Sequence, residues 1–152
     1  MSYDRILILT DGSKQAMNAI EEGIRLASKL DVTIDVLYVA EIEEDKEYGE
    51  KLITEVQEIA KDAGIDCSSF VKHGDSFAVI AEYASRNSYD LIVMGSDGRS
   101  NLGDILIGST AERVITETDV PVTVVNKPPA DRLERVEAKL QNDDIIHGTS
   151  GE

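Results

Sequence analysis

Between Met94 and Thr110 the chain spaces glycines and hydroxyl residues in a way that suits an anion: Gly95, two residues, Gly98, nine residues, then Gly108-Ser109-Thr110. Gly95 and Gly98 carry no Cβ, so the backbone there can take positive φ and bring its amides close to an oxyanion. Gly108, Ser109 and Thr110 stand where an apolar, periodic segment begins, and the unpaired amides of a first helical turn carry partial positive charge. The chemistry implied is the binding of a nucleotide phosphate. Arg99 and Ser100 fall inside the loop, where a guanidinium and a hydroxyl either donate to phosphate oxygens or remain solvated. Asp97 runs against this pattern, because it puts a carboxylate into a loop suited to an anion.

A second cluster lies near the N-terminus. Ile6-Leu7-Ile8-Leu9 leads into Thr10-Asp11-Gly12-Ser13, a strand followed by a turn. Asp11 serves either as a turn residue bonding its own backbone or as an acceptor for a nucleotide or an outer ligand of a phosphate-bound Mg²⁺. Thr10 and Ser13 either cap or bind. Together the two clusters resemble the universal stress protein family. Its ATP-binding loop runs Gly, two residues, Gly, nine residues, Gly, then Ser or Thr, and its first strand ends in an Asp-Gly-Ser turn. The resemblance covers roughly residues 4 to 126. Two departures stand out: Leu9 where such families commonly have Pro, and Asp97 where they commonly have His.

The resemblance implies a flavodoxin-like, Rossmann-like α/β domain with strand order 3-2-1-4-5. It also implies ATP as ligand, with Mg²⁺, held by Thr10, Asp11, Val39, Met94, Gly95, Gly98, Arg99, Ser100, Gly108, Ser109 and Thr110. Val39, at the end of the second strand, would meet the adenine edge with its backbone; otherwise it is a core valine. The implied role is a nucleotide-dependent sensor or partner-binding module in stress response, its protein partner unknown. The alternative is a dimeric interaction protein of the same family that has lost nucleotide binding, and Asp97 is the residue that speaks for it.

The elements that must position these residues are legible as repeated βα units, short β-branched runs alternating with longer amphipathic segments. Strands are expected at Arg5 to Thr10, Val32 to Val39, Asp66 to Lys72, Tyr89 to Met94 and Val120 to Val125. Helices are expected from Ser13, its N-cap, through Ala16, Ala19, Ile20, Ile24 and Ala27, then at Lys46 to Ala63, Ser76 to Arg86 and Thr110 to Thr118, the last with Val114 and Ile115 inward. The fourth strand is apolar without alternation, which implies burial on both faces and a parallel sheet. Helices then cover both sides. Residues 1–127 make this domain, and 128–152 form an acidic C-terminal extension, part helical from Asp131 to Leu140 and part disordered. The last strand should be a sheet edge and pair with its copy in a homodimer.

Composition narrows the function. Thirty acidic residues against fifteen Lys plus Arg give a formal net charge of −15 over 152 residues, enough chain for one core. That charge repels nucleic-acid backbones and anionic membranes, and it is also a feature of proteins adapted to concentrated salt. Cys67 is the only cysteine, so no intrachain disulfide forms; it is expected as a small apolar filler. No stretch approaches the about 20 apolar residues of a membrane span, and no signal-type segment opens the chain, so a cytoplasmic location is expected. His73 and His147 lack neighbouring ligands for a metal cage. The acidic stretch Glu41 to Glu50 lacks the spacing of a calcium loop and is expected to be a solvated connector. No Walker lysine, Rossmann fingerprint or Gly-x-Ser-x-Gly elbow occurs, and no residue is an evident catalytic base, which leaves at most slow ATP hydrolysis.

Overall fold

The computed structural model describes residues 3–12, 14–96 and 108–125. Five strands alternate with four helices: β1 (Arg5–Thr10), α1 (Lys14–Leu30), β2 (Thr33–Ala40), α2 (Asp45–Asp62), β3 (Cys67–His73), α3 (Ser76–Arg86), β4 (Leu91–Gly95), α4 (Ser109–Glu117) and β5 (Val122–Val125). All pairings are parallel, and the order is β3-β2-β1-β4-β5, as expected.

The pleat of β1 explains both layers of the core. Ile6 and Ile8 face α1 and α2, where they join Ile20, Ile24, Val56 and Ala60; Leu7 and Leu9 face the opposite side with Ile80, Ala84, Ala111 and Val114 of α3 and α4. A strand buried on both faces needs an unbroken apolar run, and that is what Ile6 to Leu9 provides. The sheet is therefore wound from β1 outward in both directions. The crevice lies where the winding reverses, at the carboxyl ends of β1 and β4.

The far end of the sheet holds a polar cluster. Asp35 sits in mid-β2, 6% exposed, with the Arg5 guanidinium as its ion-pair partner, while the Tyr89 hydroxyl donates to Asp35 Oδ2 at 2.7 Å. A buried carboxylate stays in a core only when its charge and lone pairs are met in this way. β4 begins at Leu91 and not at Tyr89 as expected. Asp90, just before β4, keeps a backbone bond to β1, its N–H donating to Arg5 O at 2.9 Å, while its Oδ2 accepts from the amides of Asp4 (2.7 Å) and Arg5 (3.0 Å), which holds its carboxyl below the usual range. β5 likewise starts two residues later than expected, because Pro121 has no N–H and contributes only its carbonyl, to Ile92 N at 2.9 Å.

In α4, Val114 is fully buried but Ile115 is 43% exposed, contrary to its expected inward position, since one residue turns the side chain by about 100° around the helix. Gly64, at φ 74°, follows the last turn of α2 as expected. Ser13 and the extension from residue 126 lie outside the described residues. Among the described residues no helix is long and apolar enough to cross a membrane.

Candidate functional site

The cleft at the carboxyl ends of β1, β2 and β4 is a cavity of about 440 Å³. Thr10, Asp11, Val39, Met94, Gly95, Gly108, Ser109 and Thr110, drawn from both sequence clusters and from β2, all line it. Gly98, Arg99 and Ser100, with Asp97, lie outside the described residues.

Each wall has a local cause. At the end of β1 the chain must turn, and Gly12 does so at φ 82°, in the left-handed region. Thr10, 6% exposed, supports that turn, because its Oγ1 accepts from Gly12 N at 3.1 Å. The ring of Tyr48 lies over Gly12, where a Cβ would come within 2.6 Å of Tyr48 Cε1. Gly95 departs from expectation: it is the last residue of β4, paired with Val125, and is not among the positive-φ glycines. What it supplies is the lack of a side chain at the cleft floor.

On the opposite wall Gly108 is the N-cap of α4, extended at φ −64° and ψ 159°, with no side-chain hydrogen bond capping the helix. Among the described residues the first-turn amides of α4 meet no capping side chain, and the start of the helix lines the cleft. Glycine at this position keeps the approach clear.

At β2, the ladder with β1 ends at Thr10↔Tyr38, whereas the ladder with β3 continues to Ala40↔His73. The β1-facing edge of the chain past Tyr38 therefore has no strand neighbour, and a backbone polar group in that position needs another partner. Val39, half-buried, lies there.

Three carboxylates also line the cavity: Asp11, Glu41 and Asp45. Glu41 accepts from the Ser76 hydroxyl at 2.6 Å, and Ser76 is the first residue of α3, whose N-cap is Asp75. Burial, with Asp45, Tyr48 and Asp11 nearby, raises the Tyr38 phenol above its ordinary value. No Lys or Arg is among the described lining residues. The stretch expected as a solvated connector thus gives Glu41 and Asp45 to the cleft. No motif marks these residues, but Glu41 directly follows β2, and the carboxyl ends of strands beside a reversal point border the crevice. Among the described residues no group of three or more His, Cys, Asp or Glu could by itself hold a metal ion.

The family model described as the universal stress protein family matches residues 2–126. The chain belongs to the universal stress protein family. A curated universal stress protein, MJ0531 of Methanocaldococcus jannaschii, is 33% identical over 142 residues, covering 83% of this chain and 84% of that one. Among solved structures, the hypothetical protein MJ0577 superposes with a TM-score of 0.74 at 26% identity, covering 84% of this chain and 98% of its own. A universal stress protein in complex with cAMP superposes at 0.70 with 22% identity, covering 83% and 98%. For a universal stress protein, the β1 turn, the end of β2 and the start of α4 are here brought to one cavity.

Proposed function

We propose that this chain binds an adenine nucleotide, ATP in the cell, and acts as a nucleotide-dependent sensor or partner-binding module in stress response. The carrying observation is that the start of α4 at Gly108, without a side-chain cap among the described residues, lines one cavity with Asp11 and Gly95. A helix N-terminus without a side-chain cap is a ready phosphate site, and about 440 Å³ lies within the range of small-molecule clefts. Family members solved with cAMP, with dAMP and with AMP support adenine as the base. The phosphates would lie on α4 with Gly95, Ser109 and Thr110, the sugar over Asp11, and the base against Val39.

Mg²⁺ fits the same arrangement. It commonly takes one or two carboxylates and completes its shell with phosphate oxygens and water, and Asp11 lines the same cavity as the start of α4. With phosphates bound, it would neutralise their charge in a cleft that has acidic lining.

The acidic lining favours a second reading, a dimeric interaction protein that carries no nucleotide. One experiment separates the two: denature the purified protein, chromatograph what is released, and titrate the stripped protein with ATP with and without Mg²⁺. Released adenine nucleotide or saturable binding supports the first reading; an empty supernatant with no binding supports the second.

A further inference from the structure

The geometry points to Glu41, held by Ser76, as the residue that selects the base: its carboxylate accepts a hydrogen bond from the exocyclic amine of adenine and disfavours purines that present a carbonyl there. This rests on the nucleotide reading above and deepens it.

The orientation follows from the sheet. Phosphate at the start of α4 and Gly95 sits at the end of β4, and β1 lies between β4 and β2. From β4 to β2 is two strand spacings, about 10 Å, the reach from a phosphate across a sugar to the far edge of a purine. That edge therefore arrives where Val39 and Glu41 line the cavity. The amine of adenine has two hydrogens. One can go to a backbone acceptor on the unpaired edge past Tyr38, and the second needs another acceptor.

Glu41 is placed to be that acceptor. Its Oε1 accepts from the Ser76 hydroxyl, both residues line the cavity, and Oε2 receives no hydrogen bond from the described residues. An ionised carboxylate only accepts, so it rewards an amine and repels a carbonyl oxygen at the same position. Hypoxanthine differs from adenine in this respect, with an oxygen in place of the amine. A site that hydrogen-bonds a ligand N–H discriminates more strongly than one that only encloses it, because the mismatched partner leaves polar groups unpaired.

The test is calorimetric titration of the stripped protein with AMP and with IMP, without divalent cations, so that Mg²⁺ does not mask the carboxylate. Wild type should bind AMP about tenfold more tightly than IMP, and Glu41→Gln should bring the two within about twofold, since a glutamine amide both donates and accepts. Ser76→Ala should give an intermediate ratio. Glu41 is exposed and outside the core, and circular dichroism of the variant checks its fold. Equal affinities in wild type, or a ratio unchanged by Glu41→Gln, would overturn the assignment while leaving nucleotide binding in place. Failure of wild type to bind AMP, IMP or ATP would overturn the nucleotide reading and this inference with it.

Discussion

At Gly12 a single residue joins the fold to the site. Its φ of 82° lets Asp11 stand at the cleft, and the Tyr48 ring fills the space that a side chain would take. Gly12→Ala should cost about 1–3 kcal/mol in chemical denaturation, part from backbone strain and part from the clash. Adding Tyr48→Ala removes the clash alone, so the double variant should regain part of the difference from the Tyr48→Ala parent; equal costs in both backgrounds would show that strain is the whole effect. Cys67 gives a pH signature. Burial and the nearby Asp35 push its thiol up to about 11. The unfolded thiol ionises near about 8.5, so this contribution is fully present below that pH and is lost as pH rises toward 11. Wild type should therefore lose stability between pH 8.5 and 11 more steeply than Cys67→Ala, measured by denaturant midpoints. The glycines and Asp11 could be singled out from sequence because their spacing matches a motif, and Val39 only through the family resemblance. Glu41, Asp45, Ser76 and the Asp35–Tyr89 pair could not, because each depends on a partner distant in the chain.

Among the elements, α4 carries the site through its first turn. The helix should bind an anion at Ser109 and Thr110 because no side chain among the described residues caps it and because Gly108 brings no side chain into the approach. Gly108→Val puts a branched side chain into that approach, and ATP affinity should fall at least about tenfold in calorimetric titration while the fold is retained. Unchanged affinity would remove α4 from the phosphate site. The elements themselves were legible because their periodicity is strong: β1 and α3 fall where the sequence puts them, at Arg5–Thr10 and Ser76–Arg86. The ends of β4 and β5 were not. β4 starts at Leu91, after Tyr89 and Asp90, whose side chains bond Asp35 and the Asp4 and Arg5 amides, and Pro121 lies next to a strand it cannot join as a donor. Side-chain partners of this kind lie far off in the chain and leave no mark in the local periodicity.

For the whole molecule the open question of assembly centres on β5, the edge of the sheet. Strand order was not derivable from composition or periodicity; it came from the family resemblance, and the structure has that order. The carbonyls of Pro121 and Val125 accept from Ile92 N and Ser96 N of the β4 side. Backbone groups alternate direction along a strand, so those of Val122 and Val124 project outward from the sheet. An edge with such groups offers itself to a second copy, and two β5 strands meeting antiparallel about a two-fold axis would continue the sheet through a homodimer. Each chain brings a formal charge of −15, so association works against repulsion. Raising salt from about 0.1 to about 1 M shortens the screening length from about 10 to about 3 Å, and the dimer should tighten accordingly. That behaviour is also what adaptation to concentrated salt would produce. Val124→Pro removes an outward N–H while leaving the β4 ladder its bonds, and Val124→Lys adds a charge at the same edge. Sedimentation should find dimers for the parent, stronger at high salt, and monomers for Val124→Pro at any salt. A parent that sediments as a monomer at about 1 M salt, or a proline variant as dimeric as the parent, would show that β5 is not the interface.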